Sequence, residues 1–200
     1  MAAPIEFYFD FSSPYSYLAS ECIEALAARY GRGVDYKAIL LGAAFKVSGV
    51  RPLAEVPLKG EYSKRDFERS ARLAGVPFML PEPFPISTVG AARALLWLGE
   101  ADPELARAFL HAAFRAYFGA GRNIADAAVL ADVLRQVGAD PEQVLAAIQQ
   151  PDIKERLKAL VDSALARGVF GAPFIFVDGE PFWGHDRLPQ VERWLATGPF

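Results

Sequence analysis

The sequence predicts an α/β fold in which a run of helices interrupts a small mixed sheet. Three observations carry this expectation: the chain opens with a β-α-β pattern, it closes with β-β-α, and capped helices follow one another between the two ends.

Ile5 to Asp10 (IEFYFD) alternates Ile5, Phe7 and Phe9 with Glu6, Tyr8 and Asp10, the two-residue period of a strand. Ser13 follows as a helix N-cap and Pro14 as a first helical residue, whose missing N–H and fixed φ suit that place. Tyr15, Leu18, Ala19, Cys22 and Leu26 then recur at helical spacing until Gly31. Val34 to Leu40 (VDYKAIL) reads as a second strand, and a β-α-β start favours a parallel pair with a right-handed crossover. Residues 42–60, rich in Pro and Gly, read as irregular, and at least five helices are expected after them. Asp102-Pro103-Glu104 and Asp140-Pro141-Glu142 each supply an N-cap, an N1 proline and a first-turn acid. Gly99, Gly138 and Gly168 read as C-terminal glycines just past apolar stripes. Pro173 to Asp178 (PFIFVD) is a third strand, Asp178-Gly179 a hairpin turn, and Pro181 to Gly184 the antiparallel return. Leu188 to Ala196 closes the chain as a helix. The order is that of a thioredoxin-like fold: residues 1–41 and 169–200 form the thioredoxin-like domain, and 42–168 an inserted all-helical domain.

Composition narrows the function. With 52% of 200 residues hydrophobic, a core is readily buried. A net charge of −3 offers no basic footprint for nucleic acid. The single cysteine, Cys22, excludes an intramolecular disulfide and points to a reducing compartment. MAAPIEFYFD has neither the basic nor the apolar region of a signal peptide, and no apolar run reaches the ~18 residues of a membrane helix. A soluble cytoplasmic protein is expected.

Several chemistries fall away. Gly31-Arg32-Gly33 and Gly119-Ala120-Gly121 lack the third glycine of a dinucleotide fingerprint, and no phosphate-binding loop or nucleophile elbow is present. His111 and His185, with one distant cysteine, give no metal-ligand spacing, so no metal is expected. His111, among Phe109, Leu110 and Phe114, reads as structural or surface-facing. Cys22 shares a helix face with Leu18 and Leu26 and reads as a buried, inert residue; nine positions beyond Ser13, roughly 13 Å along a helix, it cannot act as a thiol at the turn.

Ser13 is the conspicuous residue, a hydroxyl at a helix N-terminus where unpaired N–H groups and the helix dipole favour an anion. Serine is also a favoured N-cap, so a second feature is needed. Gly171-Ala172-Pro173 supplies it: thioredoxin-like folds place a cis-proline beside the active turn, and the Ala172 backbone would then offer strand-like hydrogen bonds to a peptide over Ser13.

The segments FYFDFSSPYSYLA, LLGAAFKVSG, PLKGEY and GVFGAPFIFVDGEPFWGHDRL resemble those of the 2-hydroxychromene-2-carboxylate isomerases. These belong to the DsbA-like superfamily and are relatives of kappa-class glutathione transferases. The resemblance runs end to end. It implies a dimeric, glutathione-dependent cis–trans isomerase of aromatic catabolism (naphthalene degradation), converting 2-hydroxychromene-2-carboxylate or a similar hemiketal to trans-o-hydroxybenzylidenepyruvate. It also implies roles. Ser13 is similar to the serine that meets the glutathione sulfur, and Ala172 to the residue pairing with the cysteinyl backbone. Trp183, Gly184, His185, Asp186 and Arg187 resemble the loop that holds the γ-glutamyl end, Lys59 a lysine on a glutathione carboxylate, and Lys46 a substrate-contacting lysine. Val50, Ser87 and His185 depart from the family pattern, which bears on the substrate more than on glutathione.

Without a thiol at the turn, the chain cannot exchange disulfides itself. In the mechanism the resemblance suggests, a hydroxyl and a helix N-terminus stabilise a thiolate brought by glutathione. That thiolate adds to the conjugated substrate, the bond rotates, and elimination regenerates the thiol. A kappa-like glutathione transferase or peroxidase, and a noncatalytic glutathione- or peptide-binding protein, remain the competing readings.

Overall fold

The computed structural model describes residues 2–200. Four strands form one sheet in the order β2-β1-β3-β4: β1 is Ile5–Phe9, β2 Val34–Ala38, β3 Phe174–Val177 and β4 Glu180–Trp183. The helix α1, Pro14–Arg29, carries the chain from β1 to β2, which pair in parallel with Ile5 opposite Val34 and Phe9 opposite Ala38. β3 runs antiparallel to β1, with Phe7 opposite Ile175. The β3–β4 hairpin turns at Asp178 and Gly179, whose φ of 52° and 93° are those of the two-residue turn expected there.

Both faces of the sheet are covered, which explains why β1 and β3 carry apolar side chains at nearly every position. Ile5, Phe7, Phe9, Ile175 and Phe182 join one continuous core that also takes in Leu95, Phe109, Leu130 and Val144 from the middle of the chain. Tyr8, Phe174 and Phe176 face the other way and pack with Ile39, Ala164 and Val169.

The middle of the chain is helical: α2 Leu41–Ser48, α3 Lys59–Ala74, α4 Val89–Ala101, α5 Pro103–Phe114, α6 Ala127–Gln136, α7 Pro141–Ala147 and α8 Pro151–Ala166; α9, Leu188–Thr197, closes the chain. The caps at Asp102 and Asp140 form as expected, each side chain accepting from the backbone N–H groups two and three residues on. Gly138 and Gly168 take the positive φ of helix ends.

Two expectations are corrected. Residues 42–60 are not irregular throughout: α2 occupies Leu41–Ser48, and a single 3-10 turn spans Leu53–Glu55. Leu40 cannot cap α2 with its side chain; the N–H of Leu41 is satisfied instead by the Asp10 carboxylate at the end of β1, 2.7 Å away. A cap supplied from 31 residues upstream has no local signature. Gly99 does not end a helix either. It lies inside α4, which runs on to Ala101, and a Cβ there would meet that of Ala106 at 3.6 Å, an ordinary contact.

A column of rings joins the helical insertion to β1 and α1. Phe9, Phe11, Phe114, Tyr17 and Phe118 are fully buried and in successive ring contact. A π turn, Arg115–Gly119, follows α5 and frees the Phe118 carbonyl to accept the N–H of Met79. Tyr17 and Tyr117 donate to the carbonyls of Pro77 and Pro83. The strap between α3 and α4 is thereby fastened over the ring column. Among the described residues no helix is long and apolar enough to cross a membrane.

On the far side of α1, a polar cluster joins it to α5. His111 Nε2 lies 3.1 Å from Glu24 Oε1, which also accepts from the Tyr36 hydroxyl, and Arg115 makes a two-pronged bond to Glu21. His111 is therefore structural, as expected. Burial opposes the charge of Glu21, but His111 and Arg115 overcome it and hold the carboxyl at about 2. Burial likewise opposes imidazolium in His111, yet Glu21 and Glu24 prevail and raise its pKa above the ordinary histidine value. A raised folded-state pKa contributes stability that is full below the unfolded value of about 6.5 and lost as pH climbs through the folded value. Replacing His111→Gln should therefore cost about 1 kcal/mol or less near pH 6, and less still near pH 9. Thermal denaturation of both proteins across that range reads the difference; a pH-independent gap would contradict the ion pairing.

Candidate functional site

The turn from β1 into α1 opens onto a cavity of about 1540 Å³ between the C-terminal end of β1 and the helical middle. Ser13 caps α1, accepting from the N–H of Ser16 at 3.1 Å. Its own proton goes to the carbonyl of Ala172, 3.0 Å away, and the Ala172–Pro173 bond is cis, as expected. The serine is thus both a cap and the link between the turn and the start of β3. Pro14 has no N–H, and that of Tyr15 has no partner among the described residues. It is the free donor of the first helical turn.

Every residue given a site role from the sequence reaches this cavity: Ser13 and Ala172 at its base, Lys46 on α2, Lys59 at the start of α3, and Trp183 to Arg187 on the loop after β4. So do Val50, Ser87 and His185. Gly184 turns that loop with φ 111° and ψ 151°, a conformation open in practice to glycine alone. Gly171 lets the Trp183 indole close on the backbone, since a Cβ there would lie 2.5 Å from Nε1.

Tyr15, Asp66, Asp10 and Thr88 also line the cavity and were missed. Tyr15 donates to Asp66 on α3 at 2.6 Å and stacks flat on His185, with ring centroids 4.6 Å apart and 7° between the planes. Burial pushes the His185 imidazole below its usual range, against the pull of Asp186 and Asp66. Tyr15 lies in the conspicuous SPYSYL stretch, but nothing near Asp66 in the sequence points to it.

Charge distinguishes this cavity from the smaller one, about 470 Å³, beside Glu21, Glu24, His111 and Arg115, where the charges already neutralise one another. Lys46 and Lys59 line the large cavity with no acidic partner among the described residues. Arg187 has only Asp186, at 3.5 Å. The arrangement suits an anionic molecule that lays an acceptor at the N-terminus of α1. Cys22 is elsewhere: it is half-buried rather than fully so, its thiol donates to the Leu18 carbonyl at 3.1 Å, and burial pushes its pKa up.

A thioredoxin-type sheet with a helical insertion and a turn at a cis-proline defines a DsbA-like protein, and residues 4–196 match the DSBA-like thioredoxin domain family. The 2-hydroxychromene-2-carboxylate isomerase of Sphingobium xenophagum is 35% identical over 98% of this chain and 99% of its own. Glutathione S-transferase kappa 1 of Caenorhabditis elegans is 32% identical over 94% of this chain and 88% of its own. A solved structure of selenomethionyl 2-hydroxychromene-2-carboxylate isomerase superposes with a TM-score of 0.86 at 31% identity, covering 96% of this chain and 94% of that one. The chain belongs to the 2-hydroxychromene-2-carboxylate isomerase family of DsbA-like proteins, with kappa glutathione transferases among its relatives.

The loop after β4 is testable without a substrate. Gly184→Ala would force a Cβ against the Asp186 carboxylate at a backbone angle few side chains adopt, at a cost of about 1–3 kcal/mol. Urea denaturation should show that loss, and an unchanged midpoint would mean that the loop relaxes freely.

Proposed function

We propose that the protein is a glutathione-dependent cis–trans isomerase acting on 2-hydroxychromene-2-carboxylate or a similar hemiketal of aromatic catabolism. The observation that carries this reading is a thiol-free helix N-terminus, Ser13 with the free Tyr15 N–H, opening onto a cavity with unpaired lysines. Relatives named for that isomerase support the reaction, and relatives named glutathione S-transferase kappa support the thiol ligand.

The residues fit the tripeptide. Ala172 offers a backbone N–H without a partner among the described residues. Lys59 and Arg187 suit carboxylates, and Asp186 suits an ammonium. When bound, glutathione would supply a thiolate that adds reversibly to the conjugated double bond so that the bond can rotate. The chain's part is to hold that sulfur and the substrate. Ser13 turns its hydroxyl proton from the Ala172 carbonyl toward the sulfur, and the Tyr15 N–H and the dipole of α1 favour the anion. Lys46 holds the substrate carboxylate, and Phe45, Phe84 and Ile86 give its ring an apolar wall. In this division the sheet-forming segments, 1–41 and 169–200, hold the thiol, and the insertion, 42–168, supplies most of the substrate wall. We also infer a cytoplasmic homodimer: glutathione is reduced there, and the exposed Val47, Leu53 and Leu58 beside the cavity support a second subunit.

The second reading, a kappa-type transferase or peroxidase, has the Caenorhabditis elegans relative in its favour. Incubation with 2-hydroxychromene-2-carboxylate, with and without reduced glutathione, separates the two. Isomerisation should require glutathione without consuming it, whereas consumption would indicate a transferase.

Ser13→Ala should lower stability by about 0.5–2 kcal/mol through the lost cap. Turnover should fall further, with a rise in the thiol pKa of bound glutathione followed by thiolate absorbance. A folded variant with normal turnover and thiol pKa would reduce Ser13 to a cap.

A further inference from the structure

The Asp10 carboxylate is almost wholly buried, at 3% exposure, and among the described residues no lysine or arginine donates to it. It is held by four hydrogen bonds. Oδ1 accepts from the Ser12 N–H at 2.8 Å, the Ser12 hydroxyl at 3.0 Å and the Thr88 hydroxyl at 2.7 Å; Oδ2 accepts from the Leu41 N–H at 2.7 Å.

The donors come from three segments, each forming a different part of the cavity. Ser12 belongs to the turn that presents Ser13. Leu41 begins α2, which carries Phe45 and Lys46. Thr88 precedes α4 and ends the strap that carries Phe84, Ile86 and Ser87. The loop after β4, with His185 to Arg187, is not among them.

We propose that Asp10 and Thr88 are positioning residues that set the spacing between the sulfur-facing turn and the two walls of the substrate half of the cavity. The proposal rests on the isomerase reading for its substrate but not for its geometry. Backbone and hydroxyl donors fix direction as well as distance, so one rigid carboxylate settles where α2 and the strap stand relative to Ser13.

The two oxygens carry unequal loads, which makes the tethers separable. In Asp10→Asn the remaining oxygen stays with the three donors, and the amide nitrogen faces the Leu41 N–H, donor against donor. That variant frees α2. Thr88→Val removes only the strap's tether, and Thr88→Ser restores it.

Calorimetry with reduced glutathione and kinetics with 2-hydroxychromene-2-carboxylate at saturating glutathione test the proposal. KM for the chromene should rise about tenfold or more in Asp10→Asn and Thr88→Val, the weight of one hydrogen bond to a charged acceptor. The glutathione Kd should change by less than about twofold, as for an independent site, and Thr88→Ser should recover the wild-type KM. Glutathione Kd and chromene KM rising in step, or Thr88→Ser behaving like Thr88→Val, would reduce both residues to general packing. Amide exchange needs no substrate and judges the geometry even if the chromene is not turned over. In Asp10→Asn, exchange should quicken over residues 41–46 and stay unchanged over 172–187. Uniform acceleration, or none, overturns the proposal.

Discussion

One buried carboxylate holds the cavity together. Asp10 sits where β1 ends, and four donors from three separate segments converge on it. Each hydrogen bond to a charged acceptor is worth about 1.5–3 kcal/mol. The same charge stripped of its donors would cost several kcal/mol to bury. The turn, α2 and the strap before α4 are therefore bound to one another through a point that none of them could satisfy alone. The sheet fixes that point, because β1 lies between β2 and β3 and cannot shift without breaking both pairings.

Around this polar point the remaining support is apolar. The ring column from Phe9 through Phe114 to Phe118 packs the insertion against β1, and Tyr17 and Tyr117 use their hydroxyls to fasten the strap. Aromatic pairs of this kind add about 0.5–1.5 kcal/mol beyond their buried area. The cavity itself is lined by Phe45, Phe84 and Ile86, with Lys46 and Lys59 also on its wall. Its acids are either spoken for, as Asp10 and Asp66 are, or set against arginine, as Asp186 is.

Much of this was legible in the sequence wherever the signal is local. Period-two alternation marks β1, the Asp-Pro-Glu triplets mark the starts of α5 and α7, and Asp178-Gly179 marks the hairpin, because each is decided by the conformational preferences of a few adjacent residues. β1, β2 and β3 stop a residue or two short of the runs that predict them and β4 begins one residue earlier than expected, as pairing rather than composition sets strand ends. α2 was hidden because its cap comes from Asp10, and Gly99 misled because a glycine inside the last turns of a helix looks the same as one that ends it. The site divides the same way. Ser13 and Ala172 follow from turn chemistry, and the loop residues from the resemblance. Asp66 and Thr88 became visible only when α3 and α4 were brought to the turn.

Serine at the turn has a consequence for how the molecule ages. A cysteine at a helix N-terminus is a low-pKa thiolate, open to sulfenic and then irreversible sulfinic oxidation. Ser13 has no such chemistry, and Cys22 is held from it by burial, its raised pKa and its bond to Leu18. The polypeptide therefore keeps no record of oxidative exposure at its turn. Under the proposed function its vulnerability is transferred to a small molecule that the cell reduces and replaces continually, and a spent nucleophile leaves by diffusion rather than by destruction of the protein.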